Sequence, residues 1–293
     1  MDESADQAAS ERDEREPSRY QLTLGHLYPD QLNLYGDRGN ILVLRERCRW
    51  RGIALRVQPL GVGDVLVPDE YDLLFIGGGQ DKEQAPVAHD LREMKAPGLW
   101  AAIEDNMPVL AVCGGYQLLA HYYRPAVGPD MRGLGVFDAW TIHKGLRVAR
   151  CIGNIAIEWQ GQTLVGFENH GGRTYLGTSS PLGKVLAGHG NNSEDHTEGA
   201  IYRNTFGTYL HGSLLPKNPH FADHFLLLAL RRKYGAEVAL PPLDDALEWR
   251  AHETMLRRLR VRFPRRQNNG QKEGTSWTRQ AESGSDADAP ASS

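Results

Sequence analysis

The segment P-V-L-A-V-C-G-G-Y-Q, residues 108–117, brings together residue types that can do covalent chemistry. An apolar run, Val109 to Val112, leads straight into Cys113, then Gly114 and Gly115, then a helix-like stretch. A cysteine on a sharp strand-to-helix turn is a nucleophile elbow: small neighbours let the backbone turn tightly and hold the sulfur out. The amino end of the helix favours thiolate over thiol, and the backbone N–H of Gly114 can hold a developing oxyanion. Cys48 and Cys151 lack that setting and read as a helix-core and a strand-core residue.

A thiolate nucleophile needs a base, which in such enzymes is a histidine distant in sequence and adjacent in space. Of the 11 histidines, His211 stands at the end of the strand-like G-T-Y-L-H-G, with Gly212 leaving room beside the ring. His170, in F-E-N-H-G-G, is the competitor, and the strand-end position favours His211. Gly77-Gly78-Gly79 closes another apolar run, Leu73 to Ile76. Ligands of parallel sheets bind at the carboxyl ends of strands, so the amides of Gly78 and Gly79 can join Gly114 as oxyanion donors.

These residues need a scaffold, and the hydrophobic pattern supplies one. Strand-like runs at Leu22 to Leu27, Ala54 to Pro59, Leu73 to Ile76 and Pro108 to Val112 alternate with helical spacing over Asn40 to Trp50 and Asp90 to Asp105 and from about Tyr116. That order predicts an α/β fold with a parallel sheet flanked by helices. After Gly133 the pieces are short and turn-separated: Val136 to Thr141, Ile152 to Trp159, Thr163 to Phe167, Lys184 to Gly188, Ala200 to Arg203 and Thr208 to His211. They predict mainly antiparallel strands, making the whole sheet system mixed, and two helices follow near Pro219 to Tyr234 and Asp244 to Arg260.

With 293 residues, 40% of them hydrophobic, the chain can bury a large core. Residues 1–19 and 263–293 are polar and nearly free of large apolar side chains, so disordered tails are expected around a domain at 20–262. The net charge of -4 gives no basic surface for nucleic acid, and the run Arg257 to Arg266 reads as a solvated helix end. No apolar run reaches the ~20 residues of a membrane span, and the charged N-terminus is no secretory signal, which points to the cytoplasm. Three cysteines form neither a disulfide framework nor a C-x-x-C pair, so no metal is expected.

V-C-G-G-Y-Q at the elbow, F-I-G-G-G-Q-D-K-E-Q around the glycine triplet and G-T-Y-L-H-G at His211 resemble the class I glutamine amidotransferases of the cobyric acid synthase branch, with their flavodoxin-like fold. L-Y-P-D-Q-L-N-L-Y-G-D-R-G-N, G-F-E-N-H-G-G-R-T-Y and G-N-N-S-E-D-H-T-E-G narrow the resemblance to the glutaminase subunits of lipid II isoglutaminyl synthase, over roughly residues 20–262. That resemblance implies hydrolysis of L-glutamine, with Cys113 as nucleophile and His211 as base. It implies ammonia transfer to a Mur-ligase-like synthetase, which amidates D-glutamate of the lipid II stem peptide to D-isoglutamine. ATP and magnesium belong to that partner, and no G-x-x-x-x-G-K-[ST] phosphate loop occurs here, so no cofactor is expected in this chain. Arg150, in R-C-I-G-N, matches the family's substrate arginine and can grip an α-carboxylate bidentately, with Arg147 a neighbouring alternative; Gln117 is expected to contact substrate.

Two positions depart from many amidotransferases. Ala111 stands where glycine commonly precedes the nucleophile by two, and Ser213 stands where glutamate commonly follows the base by two. No carboxylate follows His211 until Asp223, so either a dyad suffices or the partner supplies an acid. Two other readings compete: a cobyrinate-type amidotransferase, which often carries an ATP-binding domain on the same chain, and a non-catalytic subunit on the same scaffold, against which the intact cysteine and histidine argue.

Overall fold

The computed structural model describes residues 18–33, 37–211 and 214–262; residues 1–17 and 263–293 of the expected tails lie outside the described residues. The strands are β1 Tyr20–Leu27, β2 Ile53–Leu60, β3 Leu73–Ile76, β4 Val109–Val112, β5 Tyr122–Arg124, β6 Met131–Arg132, β7 Ala139–His143, β8 Cys151–Trp159, β9 Gln162–His170, β10 Gly172–Leu176, β11 Gly183–Ala187, β12 Thr197–Glu198, β13 Ala200–Tyr202 and β14 Thr205–Thr208. The α-helices are α1 Arg38–Trp50, α2 Asp81–Asp90, α3 Ala96–Glu104, α4 Gly114–Leu119, α5 Pro219–Tyr234 and α6 Ala246–Arg258.

The first sheet runs β13-β14-β4-β3-β1-β2, with every pair parallel except the hairpin of β13 and β14. Its central strands β3 (LLFI) and β4 (VLAV) are buried at every position, as strands covered on both faces must be. Register aligns the carboxyl ends: Leu27 of β1 faces Ile76 of β3, Ile76 faces Ala111 of β4, and Thr208 of β14 faces Val112. The segments that leave β1, β3, β4 and β14 therefore start side by side along one edge, and each delivers part of the site.

The second half forms two four-stranded sheets, β10-β7-β5-β6 and β12-β11-β8-β9. Most of their pairings are antiparallel, as the short turn-separated runs predict, with β5 and β7 parallel. The expected strand Thr208 to His211 is displaced: β14 ends at Thr208, and His211 joins β9 through a bridge in which its N–H and C=O pair with those of Phe167 at 2.7 and 3.1 Å. The expected helix Asp90 to Asp105 starts nine residues earlier, at Asp81, and continues through a π-turn at Leu91–Lys95 into α3. Pro86 and Pro97 obscure that continuity in the sequence, because proline weakens any helical reading even where tertiary contacts carry the helix through.

Two buried ion-pair clusters fix the helices against the sheet. Arg47 of α1, whose side chain is 1% exposed, bonds Asp223 of α5 through Nε and Nη2 at 2.7 and 2.8 Å and Asp245, just before α6, through Nη1 and Nη2 at 2.6 and 3.0 Å. Lys95, in the π-turn, bonds Asp90 at 2.6 Å and the carbonyls of Gly61 and Asp64 at 2.7 and 2.8 Å, while Tyr28 donates to the same carboxylate at 2.8 Å. Asp223 keeps its bonds from Arg51 while Asp245 loses those from Arg47, so Arg47→Ala should lose ~1.5–3 kcal/mol of stability, read as a lower denaturation midpoint in urea.

Candidate active site

Cys113 stands between β4 and α4 at φ 50°, ψ -101°, a conformation an L-residue adopts only when its surroundings force it. Its N–H donates to Thr208 O at 2.8 Å and its C=O accepts from Gln117 N at 2.9 Å, so the turn is held from both sides. The side chain is 8% exposed and lies on a cavity of about 470 Å³, a volume in the range of small-molecule sites. The structure thus places Cys113 on an elbow, as its sequence context predicts, although α4 is only six residues long. Cys48 and Cys151 are fully buried away from the cavity, and burial pushes the Cys48 thiol up to about 12 and raises that of Cys151.

His211 is fully buried, and its ring and Cys113 flank Gly78 together. Its Nδ1 lies 3.3 Å from Oδ1 of Asp37, a residue buried at 0% exposure. Burial alone would push the imidazole down, but Cys113 and Asp37 outweigh it and hold the ring up to about 10. The sequence left open whether a dyad suffices or a partner supplies an acid; the structure sets a carboxylate of this chain beside His211, 174 positions upstream of it. Asp37 is the N-cap position of α1 yet makes no capping bond; its oxygens turn to His211 and to Gly78 instead. The only sequence signal was an Asp ahead of a helix, which reads as an ordinary cap.

The glycine triplet is required by close approach. A Cβ on Gly77 would collide with the carbonyl of Leu32, and one on Gly78 would lie 3.0 Å from the His211 ring and 3.1 Å from Cys113 Cβ. The role expected for Gly78 changes, because its N–H donates to Asp37 Oδ2 at 2.9 Å and is not turned to an oxyanion. The Gly79 nitrogen lies beside Gly114, 2.9 Å from where a Cβ on Gly114 would stand.

The segment that carries His211 is pinned from beneath. Buried Glu198 accepts Tyr209 N–H at 2.6 Å and the Thr208 hydroxyl at 3.1 Å; burial pushes its carboxyl up to about 8 despite those bonds. His170, the competing histidine, is held by other groups. Its ring stacks on Tyr209 at 3.7 Å, its Nδ1 donates to Gly172 O at 2.7 Å, and burial pushes it down, so it stands as a neutral wall residue of the cavity.

Arg150 lines the cavity, oriented by Asn169 through Oδ1 and the carbonyl, each at 3.1 Å. Arg147 is exposed and does not line the cavity. Gln117 also lines it, with its amide fixed at both ends: Oε1 accepts from Gln84 and Nε2 donates to the Tyr209 hydroxyl, each at 3.2 Å.

Residues 23–219 match the model of the CobB/CobQ-like glutamine amidotransferase domain, about two thirds of the chain. The chain belongs to that family. Similar proteins include the lipid II isoglutaminyl synthase (glutamine-hydrolyzing) subunit GatD of Staphylococcus aureus, 44% identical over 82% of this chain and 96% of that one. The corresponding GatD subunit of Streptococcus pneumoniae is 42% identical over 78% of this chain and 88% of its own length. A probable cobyric acid synthase of Methanothermobacter thermautotrophicus is 32% identical over 64% of this chain, which spans 38% of that longer protein.

In a glutamine amidotransferase, a cysteine, an imidazole and a buried carboxylate in series can serve as a nucleophile, its proton carrier and the group that orients the carrier. In Asp37→Asn the amide cannot stabilise the imidazolium, so kcat for glutamine hydrolysis should fall by ~10²–10⁴-fold. Asp37 raises the ring pKa, so protonated His211 persists below about 10 and is lost above it. In the variant the alkaline limb of kcat/KM therefore moves to lower pH. Iodoacetamide at neutral pH should alkylate Cys113 ahead of Cys48 and Cys151, as read by peptide mass analysis.

Proposed function

We propose that this chain is the glutaminase subunit of a lipid II isoglutaminyl synthase. The observation that carries the reading is the Cys113–His211–Asp37 series on a cavity lined by Arg150, in a chain that aligns almost end to end with GatD subunits. The cobyric acid synthase reading is weaker, since this chain spans little more than a third of such a protein.

Glutamine enters with its α-carboxylate on Arg150 and its side-chain amide over Cys113. The thiolate attacks the amide carbon, and the resulting oxyanion is held by the amides of Gly79 and Gly114. Protonated His211, oriented by Asp37, gives its proton to the departing nitrogen, which leaves as ammonia and frees a thioester on Cys113. The neutral imidazole then draws a proton from water, hydroxide attacks the thioester, and glutamate is released with the thiolate restored.

Ammonia in neutral water is rapidly protonated and ceases to be a nucleophile, so the product requires a shielded route to its acceptor. The acceptor is a D-glutamate α-carboxyl of the lipid II stem peptide, activated with ATP and magnesium on a Mur-ligase-like partner. Lipid II reaches this chain only through that partner, which places the reaction on the cytoplasmic side. No described helix is long and apolar enough to cross a membrane.

The test is a glutamate-release assay with the chain alone and with the synthetase. The wild-type chain should hydrolyse glutamine, Cys113→Ser should release none in either setting, and only the wild-type pair should amidate lipid II with glutamine as nitrogen donor. Free ammonium should rescue lipid II amidation in the Cys113→Ser pair. Glutamate release by Cys113→Ser, or amidation of a corrin acid in place of lipid II, would overturn the reading.

A further inference from the structure

Asp81 is the only carboxylate among the described residues that line the Cys113 cavity. It is the first residue of α2, where an acid ordinarily complements the helix dipole. Its surroundings show a second engagement. The phenol of Tyr123, a side chain 2% exposed, donates to Asp81 Oδ1 at 3.0 Å, and Tyr123 itself lines the cavity. Oδ2 accepts no hydrogen bond among the described residues. The neighbouring cation, Lys82, pairs with Glu83 at 3.5 Å and leaves Asp81 unneutralised.

Arg150 meets the cavity from the antiparallel half of the molecule and Asp81 from the α/β half, and both act on the charge of His143, which lines the cavity with them. A glutamine whose amide carbon sits over Cys113 has its α-carbon three carbon–carbon bonds away, where the ammonium and the carboxylate diverge. A zwitterion at that point needs one anionic acceptor as well as one cationic donor. We propose that Asp81, held by Tyr123, accepts the α-ammonium of glutamine and makes the site specific for a free α-amino acid amide. This deepens the glutaminase reading and rests on it. A polar site left unpaired by an analogue lacking the matching group rejects that analogue strongly. Asp81 would thus exclude deaminated amides and N-acylated glutamine as well as select glutamine.

The experiment compares L-glutamine with 4-carbamoylbutanoate, which is glutamine without its α-amino group, using the full chain together with its synthetase. Asp81→Asn should raise KM for glutamine ~10–100-fold, the worth of one charge-assisted hydrogen bond, with kcat far less affected. The constants for 4-carbamoylbutanoate, measured as substrate or as competitive inhibitor, should stay as in the wild type, so discrimination between the two ligands collapses. Tyr123→Phe should move glutamine alone in the same direction by a smaller factor. Asp81→Ser provides a second variant should the first fold poorly. An unchanged KM for glutamine, or equal weakening of both ligands, overturns the proposal and leaves Asp81 as a helix-end residue. A wild-type chain that does not hydrolyse glutamine would instead refute the underlying reading.

Discussion

A buried carboxylate must find charged or hydrogen-bonding partners, and Asp37 finds two that belong to different parts of the chain. Oδ2 takes the Gly78 N–H at 2.9 Å and Oδ1 faces His211 Nδ1 at 3.3 Å. One side chain thereby locks the loop after β1 to the loop after β3 and to the segment after β14. The Cys113 turn sits inside that frame, since Gly78 packs against both Cys113 Cβ and the His211 ring. Removing the carboxylate would leave an amide donor and an imidazole without their acceptor in a region closed to water. The relative placement of Cys113, His211 and the glycine loop depends on that one group.

The supports beneath it share a design in which buried polar groups tie irregular segments to regular ones. Tyr28 opens the segment that leads to Asp37, and its hydroxyl is held by Asp90, itself paired with Lys95 in the π-turn. Burial works against the Asp90 charge, but Lys95, the Gly63 N–H and Tyr28 outweigh it and keep its carboxyl below the usual range. Arg47 does the same at the far end of α1, joining it to α5 and to the start of α6. Glu168 takes the N–H groups of His189 and Gly190 at 2.7 and 2.9 Å, and so anchors the loop after β11. Segments without a backbone ladder need such acceptors, because a buried N–H without a partner is costly.

The cavity joins two kinds of surface. Its floor, with Cys113 and Gln117, sits where buried β4 passes into α4, and the Gln117 amide is bonded at both ends. Its rim, with Arg150 and Asp81, is exposed and anchored through single neighbours, Asn169 and Tyr123. Chemistry at the floor demands fixed geometry and exclusion of water, whereas the rim must admit a solvated amino acid and release another.

Local chemistry was legible from the sequence wherever it lay within a few residues. The apolar run into Cys113-Gly114-Gly115 specified an elbow, because strand, turn and helix are all encoded there in sequence. The strand-like runs gave the parallel core, and the shift to short runs after Gly133 gave the antiparallel half. Ser213, where related enzymes carry glutamate, lies outside the described residues, and pattern could not say which carboxylate stands beside His211. Asp37 looks like a helix cap and Gly78 looks like a free oxyanion donor until the fold brings their partners up. Sequence by itself determined the element types and the turn at Cys113, since those depend on periodicity and neighbouring residues. The tertiary structure decided which distant carboxylate meets His211 and which glycine amide it engages, since hydrogen bonds between groups 41 and 174 positions apart exist only after the strand ends align.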